Sequence, residues 1–230
     1  MTWIKICATT NLADAASAVA AGADALGFIL APSTRRVEAE SAAGIIRALP
    51  GRVEKIGVVV NEEPQTLAGL ADYVGLTGIQ LHGDESPEQL PSFRAALGPR
   101  KIIKTLQARE LLAGHGEGLL NDVLRFVKYV DAVLVDSGVP SRRGGTGIPF
   151  DWNASLLLIS RIKEAVPVII AGGLTPTNVA DALNLFHPWG VDVVSGVERE
   201  IGSKDGQKVA AFIRAVRRAE AQPVLRAANQ

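Results

Sequence analysis

The stretch that decides the fold is VPVIIAGGLTPTNVADALNLFHPWGVDVVSGVE, which runs from Val166 to Glu198. It opens with a short apolar run rich in β-branched residues and stops at Gly172-Gly173. It closes with a second such run, Val191–Val194, followed by Ser195-Gly196. Glycines after a strand let backbone N–H groups approach an anion. The stretch therefore predicts two consecutive parallel strands that end in phosphate-binding turns, as after strands seven and eight of an α/β barrel.

The same alternation of strand and helix recurs along the chain. In the stretch above, Thr175-Pro176 is typical of a helix that begins with a capping residue and a proline at its first position. Strand-like apolar runs occupy Trp3–Cys7, Ala25–Leu30, Val53–Val60, Gly78–Leu81, Lys101–Leu106, Ala132–Asp136, Val166–Ala171 and Val191–Val194. Helix-period stretches lie between or after them, at Leu12–Ala21, Ala39–Leu49, Pro64–Val74, Pro87–Ala96, Arg109–Lys128, Trp152–Ala165, Thr177–Phe186 and Lys204–Ala219. This pattern predicts a single α/β domain, a (β/α)8 TIM barrel over residues 1–219, with residues 220–230 as a frayed tail.

The composition excludes several classes of protein. The 230 residues carry 24 basic and 24 acidic side chains, so the formal net charge of zero gives no reason to expect nucleic acid or an anionic membrane as a partner. Neither a signal peptide nor a long apolar segment is apparent, and the location expected is cytoplasmic. A single cysteine and three scattered histidines predict neither a disulfide scaffold nor a metal site. No glycine-rich dinucleotide motif follows the first strand, which weakens the dinucleotide-binding alternative.

Polar residues at the strand ends carry the predicted chemistry, because catalytic groups of a barrel lie at its carboxyl-terminal face. Cys7 ends the first strand, Gln80-Leu81-His82 the fourth and Asp136 the sixth, while Asp192 lies in the eighth. A thiol and a carboxylate at one barrel mouth suit proton transfer on a sugar phosphate. Taken alone, Cys7 is more typical of a buried core cysteine than of a catalyst, and Asp136 is equally typical of a turn cap.

These segments, taken in order, resemble the phosphoribosylanthranilate isomerase family. The resemblance covers Ile4 to about Arg214. It rests on Lys5-Ile6-Cys7, Gly22 to Phe28, Ser33-Thr34-Arg35-Arg36, Val60 to Pro64, Gln80 to Glu85, Leu134-Val135-Asp136, Gly144 to Gly147 with Phe150-Asp151-Trp152, Ala171 to Leu174, and Val191 to Glu198. Any one of these motifs is weak, but their ordered set is specific.

The resemblance implies an Amadori rearrangement of N-(5′-phosphoribosyl)anthranilate in tryptophan biosynthesis, without cofactor or metal. It implies that Asp136 is the general acid and Cys7 the general base, whose thiolate a nearby cation would favour. Arg36 is expected to hold the anthranilate carboxylate, with Gln80, His82 and Asp192 as further substrate-binding residues. The phosphate is expected on residues from three loops, namely Gly144, Gly145, Thr146, Gly172, Gly173, Ser195 and Gly196. The small-molecule sugar phosphate is the partner expected of a monomer or homodimer.

One departure from the family pattern and three rival functions stay open at this point. The residue after the cysteine, usually glycine in the family, is Ala8, which would be strained if the turn needs a left-handed backbone. The related histidine-pathway isomerase would pair two aspartates, and indole-glycerol-phosphate synthase would need a strand-end lysine, for which Lys104 is the candidate. A phosphate-binding module without catalysis is the third rival. Arg35 is expected to be a solvated neighbour of Arg36.

Overall fold

A computed structural model of the chain describes residues 1–108, 116–136 and 152–221. The strands are β1 (Trp3–Ile6), β2 (Ala25–Ile29), β3 (Glu54–Val59), β4 (Gly78–Leu81), β5 (Lys101–Gln107), β6 (Ala132–Asp136), β7 (Val168–Ile170), β8 (Gly190–Val193), β9 (Glu198–Glu200) and β10 (Ser203–Lys204). The helices are α1 (Leu12–Ala21), α2 (Ala39–Arg47), α3 (Pro64–Val74), α4 (Leu90–Leu97), α5 (Gly116–Phe126), α6 (Trp152–Lys163), α7 (Val179–Phe186) and α8 (Gly206–Ala221). Short 3-10 turns span Val127–Tyr129 and Ser195–Val197.

Strands β1 to β8 pair in chain order, all parallel, and β8 closes on β1. The predicted (β/α)8 barrel is therefore confirmed. Closure aligns Lys5 of β1 with Asp192 of β8 and with Ala25 of β2. Since all eight strands run the same way, their carboxyl ends form one rim, where the predicted site residues were expected.

Element ends differ from the sequence prediction in a few places. Strand β7 begins at Val168 because Pro167 has no N–H to donate to the ladder. An antiparallel hairpin, β9 with β10, follows the last barrel strand and was not predicted. The last helix extends to Ala221, and residues 222–230 lie outside the described residues. The division into a barrel and a frayed tail stays a prediction.

Side chains of the strands alternate between two cores, as the pleat requires. The larger core lies between the sheet and the helices. The smaller one fills the lower barrel interior and consists of Trp3, Ala25, Ile56, Ile103, Ala132, Leu134, Ile169 and Ala171, all at most 7% exposed. We call this inner cluster the barrel floor.

Aromatic stacking closes the floor at the amino ends of the strands. The rings of Trp3 and Trp189 stack with centroids 5.1 Å apart. The Lys101 ammonium lies 5.1 and 5.0 Å from their two centroids and pairs with Glu54 at 2.7 Å. Within the described residues, this end of the barrel is filled by packed side chains, and the predicted site residues lie at the opposite rim.

Candidate active site

The structure brings the predicted catalytic residues to one rim. Cys7 directly follows β1, and Asp136 is the last residue of β6, on strands separated in the ring by β7 and β8. Both residues are buried, at 3% and 6% exposure, so neither side chain is an ordinary solvated group. Buried polar groups at strand ends are the arrangement expected of a barrel active site.

A small cleft, partly open to solvent, lies at this rim. Its lining includes Asp136, Asp192, Gly172-Gly173 and Ser195. The cleft therefore joins the predicted acid to two of the three predicted phosphate loops. The remaining loop, with Gly144, Gly145 and Thr146, lies outside the described residues.

The two described phosphate loops depend on glycine for their geometry. Gly172 and Gly173 have φ of 79° and 69°, a left-handed backbone that side chains other than glycine rarely adopt. A Cβ on Gly196 would lie 1.9 Å from the carbonyl oxygen of Leu174, so the two loops are in direct backbone contact. Within the described residues, the N–H groups of Gly173 and Gly196 have no acceptor, which leaves them available to an anion.

A reciprocal cap holds the first of these loops at the entry to α7. The Thr175 hydroxyl accepts from the N–H of Thr177 at 3.3 Å, and Asn178 Oδ1 accepts from the N–H of Thr175 at 2.7 Å. Asn178 also donates to the carbonyl of Gly173 at 2.9 Å. The prediction of a helix with Thr175 as its cap and Pro176 at its first position is wrong, since the α-helix begins at Val179 with Asn178 in the N-cap position.

Cys7 is held between backbone contacts. Its N–H donates to Val193 O at 3.0 Å, and a Cβ on Gly27 of β2 would lie 2.5 Å from its sulfur. The glycine therefore makes room for the thiol. The next residue, Ala8, has φ of 60°, so the turn does need a left-handed backbone and the alanine is strained there.

A buried polar layer lies above the barrel floor, one step along the strands. Lys5 Nζ is 2.8 Å from Asp192 Oδ1 and 2.8 Å from Gln80 Oε1. Gln80 Nε2 in turn lies 2.9 Å from His82 Nδ1 and donates to Thr105 Oγ1 at 3.1 Å. Because the Gln80 oxygen faces the ammonium, its amide nitrogen donates to Nδ1, and the proton of a neutral His82 is on Nε2.

The ionisation of His82 and Cys7 follows from this burial. Burial, assisted by the Lys5 charge, lowers the pKa of His82 to about 4, so its imidazole is neutral at physiological pH. Burial raises the pKa of the Cys7 thiol, against the opposing attraction of Lys5. The resting thiol is therefore protonated, and it needs a cation to ionise.

The two neighbouring arginines occupy different environments. Arg36, predicted to bind the anthranilate carboxylate, is half-exposed and pairs with Glu38 at 3.2 Å. Arg35 was expected to be solvated, which is wrong: its side chain is 13% exposed and grips Glu198 with Nε to Oε1 at 2.8 Å and Nη2 to Oε2 at 2.7 Å. A carboxylate brought by the unpredicted hairpin explains the difference, since a fork-shaped guanidinium is desolvated when such a partner satisfies it.

The structure also places three lysines whose positions relative to the site were not evident from the sequence. Thr105 faces the barrel interior with Gln80, so the adjacent Lys104 faces away and pairs with Glu85 at 2.8 Å. Lys104 is thus not placed as a strand-end acid. Lys204 of β10 is buried and lies 3.4 Å from Glu198 Oε1. The sequence pattern assigned no role to Lys5. A lysine two residues before the cysteine, on the same face of the strand, could nevertheless have identified it as a neighbour of the thiol.

Two further properties concern the described part of the chain. Across residues 1–108, 116–136 and 152–221, no three His, Cys, Asp or Glu side chains are grouped as metal ligands would be. None of the helices in those ranges combines the length and the apolar character needed to cross a bilayer.

The chain is similar to known isomerases over nearly its whole length. A family model described as N-(5′-phosphoribosyl)anthranilate (PRA) isomerase matches residues 4–215. A relative of that name from Desulforudis audaxviator is 44% identical over 220 residues, which cover 95% of this chain and 100% of the relative.

Solved structures agree with the sequence comparison. The phosphoribosyl anthranilate isomerase of Thermotoga maritima matches with a TM-score of 0.80 at 35% identity, over 96% of this chain and 100% of that one. A second structure of such an isomerase, in complex with reduced 1-(o-carboxyphenylamino)-1-deoxyribulose 5-phosphate, matches with a TM-score of 0.76 at 34% identity, with the same coverage.

Proposed function

We propose that this chain, which belongs to the N-(5′-phosphoribosyl)anthranilate isomerase family, performs the family's reaction with Cys7 as general base and Asp136 as general acid. The chain is an isomerase of tryptophan biosynthesis and converts an aminoaldose phosphate into an aminoketose phosphate. The observation that carries the assignment of roles is the meeting of a buried thiol and a buried carboxylate at the one open end of the barrel.

Asp136 acts first in the proposed sequence. Its protonated carboxyl gives a proton to the ring oxygen of the phosphoribosyl group, so the carbon–oxygen bond breaks and the ring opens to a Schiff base. The position of Asp136 in the cleft beside Gly172-Gly173 supports this, because a sugar whose phosphate rests on those turns lies within the same cleft. General acid catalysis of this kind typically contributes about 10²- to 10⁴-fold to the rate.

Cys7 acts second. Its thiolate removes the C2′ proton, which gives an enolamine that tautomerises to the ketone. The narrow space above Gly27 supports this role, since a base held by a close backbone contact is already positioned. A neutral His82, with its proton on Nε2, is proposed to donate a hydrogen bond to a substrate oxygen. Asp192 is proposed to accept one from a substrate hydroxyl, and Gln80 is the third substrate-binding residue of this layer.

The two ends of the substrate are proposed to bind to separate loops. The anthranilate carboxylate pairs with Arg36, and the phosphate rests on N–H groups of the Gly172-Gly173 and Ser195-Gly196 turns, with Gly144, Gly145 and Thr146 completing the site. The Arg35–Glu198 pair supports this arrangement, because it ties the loop of Arg36 to the strand that follows Ser195-Gly196. All these residues come from one chain, so the proposal holds for a monomer and a homodimer alike.

A cytoplasmic location belongs to the same proposal, because the substrate is a phosphorylated biosynthetic intermediate. Of the rival functions, the indole-glycerol-phosphate synthase is disfavoured by the outward direction of Lys104. A binding module has no use for an acid and a base at the ends of two strands of one rim, which leaves a catalytic test to decide the roles.

The test is an assay of the purified protein on phosphoribosylanthranilate formed in situ, followed by the loss of its fluorescence, with no metal or cofactor added. Asp136→Asn and Cys7→Ser are each expected to lower kcat by about 10²-fold or more. Asp181→Asn, on the exposed first turn of α7, is the matched control and should leave kcat unchanged.

Each contrary result identifies a different error. A wild-type protein that binds the phosphate ester without converting it would contradict the catalytic assignment and favour the binding module. Turnover that survives Cys7→Ser nearly intact would remove the base role from Cys7, with Asp192 as the next candidate.

A further inference from the structure

The side chain of Lys5 is completely buried inside the barrel, directly below the site. A lysine is almost never fully buried unless its charge is paired. Here Asp192 Oδ1 at 2.8 Å supplies the opposite charge, and Gln80 Oε1 at 2.8 Å supplies a second acceptor. The cost of desolvating such a pair makes it a poor source of stability, so a functional reason for it is worth seeking.

Position along β1 supplies that reason. Lys5 and Cys7 are two residues apart, so both side chains point from the same face of the strand into the barrel. An ammonium has three N–H donors, and Asp192 and Gln80 take two of them. The third is left to face the rim, where the Cys7 sulfur lies and where the Lys5 charge favours the thiolate.

The charges that face the thiol come from three strands. Lys5 lies on β1, Asp192 on β8 and Lys204 on β10, whereas β2 presents only the uncharged Gly27. The two lysines favour the thiolate, while Asp192 and the burial itself oppose it. Asp192 therefore acts in two ways, because it both repels the thiolate and holds the cation that attracts it.

We propose that Lys5 is the positioning residue of the Cys7 base: its ammonium, oriented by Asp192 and Gln80, holds the thiolate beside the substrate. This inference rests on the proposed role of Cys7. The thiol loses its proton to water, Lys5 stays protonated, and the negative sulfur is held by the third N–H. The thiolate then takes the C2′ proton and becomes a neutral thiol again, with no change in the charge of Lys5 or Asp192.

The test measures ionisation of the thiol directly. Cys7 is the only cysteine of the chain, so cysteine labelled with ¹³C at Cβ gives a single resonance whose shift reports the thiolate fraction at each pH. Lys5→Gln is expected to raise the midpoint of this titration by about 1 to 3 pH units, because it removes the nearby opposite charge. Asp192→Asn is expected to lower the midpoint, because asparagine removes the like charge but keeps an Oδ1 that still accepts from the Lys5 ammonium.

A matched control separates this effect from general damage to a buried strand. Lys55 on β3 is also buried, but it donates to the carbonyl of Pro50 and does not face the thiol. Lys55→Gln should leave the midpoint unchanged. The rising limb of the pH profile of kcat/KM should follow the titration midpoint. It should move to higher pH in Lys5→Gln and to lower pH in Asp192→Asn.

The inference would be overturned if the midpoints of Lys5→Gln and Asp192→Asn did not shift in opposite directions from that of wild type. If Lys5→Gln does not fold, the isosteric Asp192→Asn decides alone, and an unchanged or raised midpoint would contradict the proposal. The two proposals fail separately: full activity of Cys7→Ser would remove the base role of Cys7 whatever the titrations show, whereas unmoved titrations with an inactive Cys7→Ser would refute only the role of Lys5.

Discussion

The barrel floor and the polar layer above it are built on the same strands, one step of two residues apart. Trp3 gives way to Lys5 on β1 and Ile103 to Thr105 on β5, while Asp192 joins the polar layer from β8. Two residues along a strand cover only about 6.6 Å, yet the interior changes from an apolar core to a network of charged and amide groups. The residues that stabilise the barrel and those that carry the reaction thus lie in successive layers along the barrel axis. The packed floor holds in place the strands whose ends carry the reaction.

This division predicts that the two layers respond differently to substitutions of similar size. Floor residues have no polar partners and contribute by excluding space, so a change there should be measured mainly as lost stability. Groups at the rim hold particular atoms in place, and a small displacement there should be measured mainly as lost rate.

The largest effect on rate is expected from Gly27→Ala. The new Cβ would lie 2.5 Å from the Cys7 sulfur and 3.1 Å from its Cα, so the thiol must move. A displacement of about 1 Å can cost about 10²-fold in rate, and we expect kcat to fall by that order in the fluorescence assay. Gly69→Ala is the matched control, because a Cβ at that helical position meets nothing within 4 Å.

In the barrel floor, Ile103→Ala is the counterpart of Gly27→Ala and tests the same comparison between floor and rim. Ile103 is fully buried, and its truncation should lower the free energy of unfolding by about 2 to 5 kcal/mol. The kcat of the folded fraction should stay within a few-fold of wild type. A large loss of kcat with normal stability would show that the floor and the rim are not separable.

A pH-dependent effect of intermediate size is expected from His82 in the polar layer. Its pKa of about 4 in the folded protein lies below the ordinary 6.5, so between those values the unfolded chain binds a proton that the folded chain does not. His82 therefore makes its full contribution to the free energy of unfolding above pH 6.5. That contribution is lost as the pH drops toward 4, by about 3 kcal/mol in total. Urea unfolding at several pH values should show this contribution in wild type and not in His82→Asn.

Exposed His187 supplies the control for that titration. His187→Asn keeps a residue type that tolerates the left-handed backbone there and should leave the pH dependence as in wild type. If His82→Asn loses stability with falling pH as steeply as wild type, the imidazole is not buried in its neutral form.

The smallest effect is expected from Ala8→Gly, in the turn that follows Cys7 at the rim. Glycine removes the strain of φ at 60° but loses more entropy on folding, so the net gain should be about 0.5 to 1 kcal/mol. Thermal unfolding measures it. Ala16→Gly, on the exposed side of helix α1, should instead destabilise by a similar amount, and equal signs for the two variants would contradict the strain at Ala8.

Sequence reasoning found most of the scaffold because its signals are local. Eight apolar runs, each followed by a helical period, identified the barrel strands to within two residues at either end. Cys7, Asp136 and Ser195-Gly196 could be assigned to one rim because a parallel barrel brings all carboxyl strand ends together. The hairpin β9–β10 escaped notice because its strands are only three and two residues long, too short for an alternating pattern.

What the sequence by itself determined is the order of strands and helices and the rim that carries the chemistry. Only the tertiary structure decided which charges meet. Lys5 pairs with Asp192 across 187 residues, and Arg35 pairs with Glu198 across 163. The physical reason is that periodicity and turn chemistry act over a few residues, whereas these ion pairs depend on barrel closure and on the register of β8 against β1. Each of these two ion pairs forms only when the barrel closes and brings its partners together.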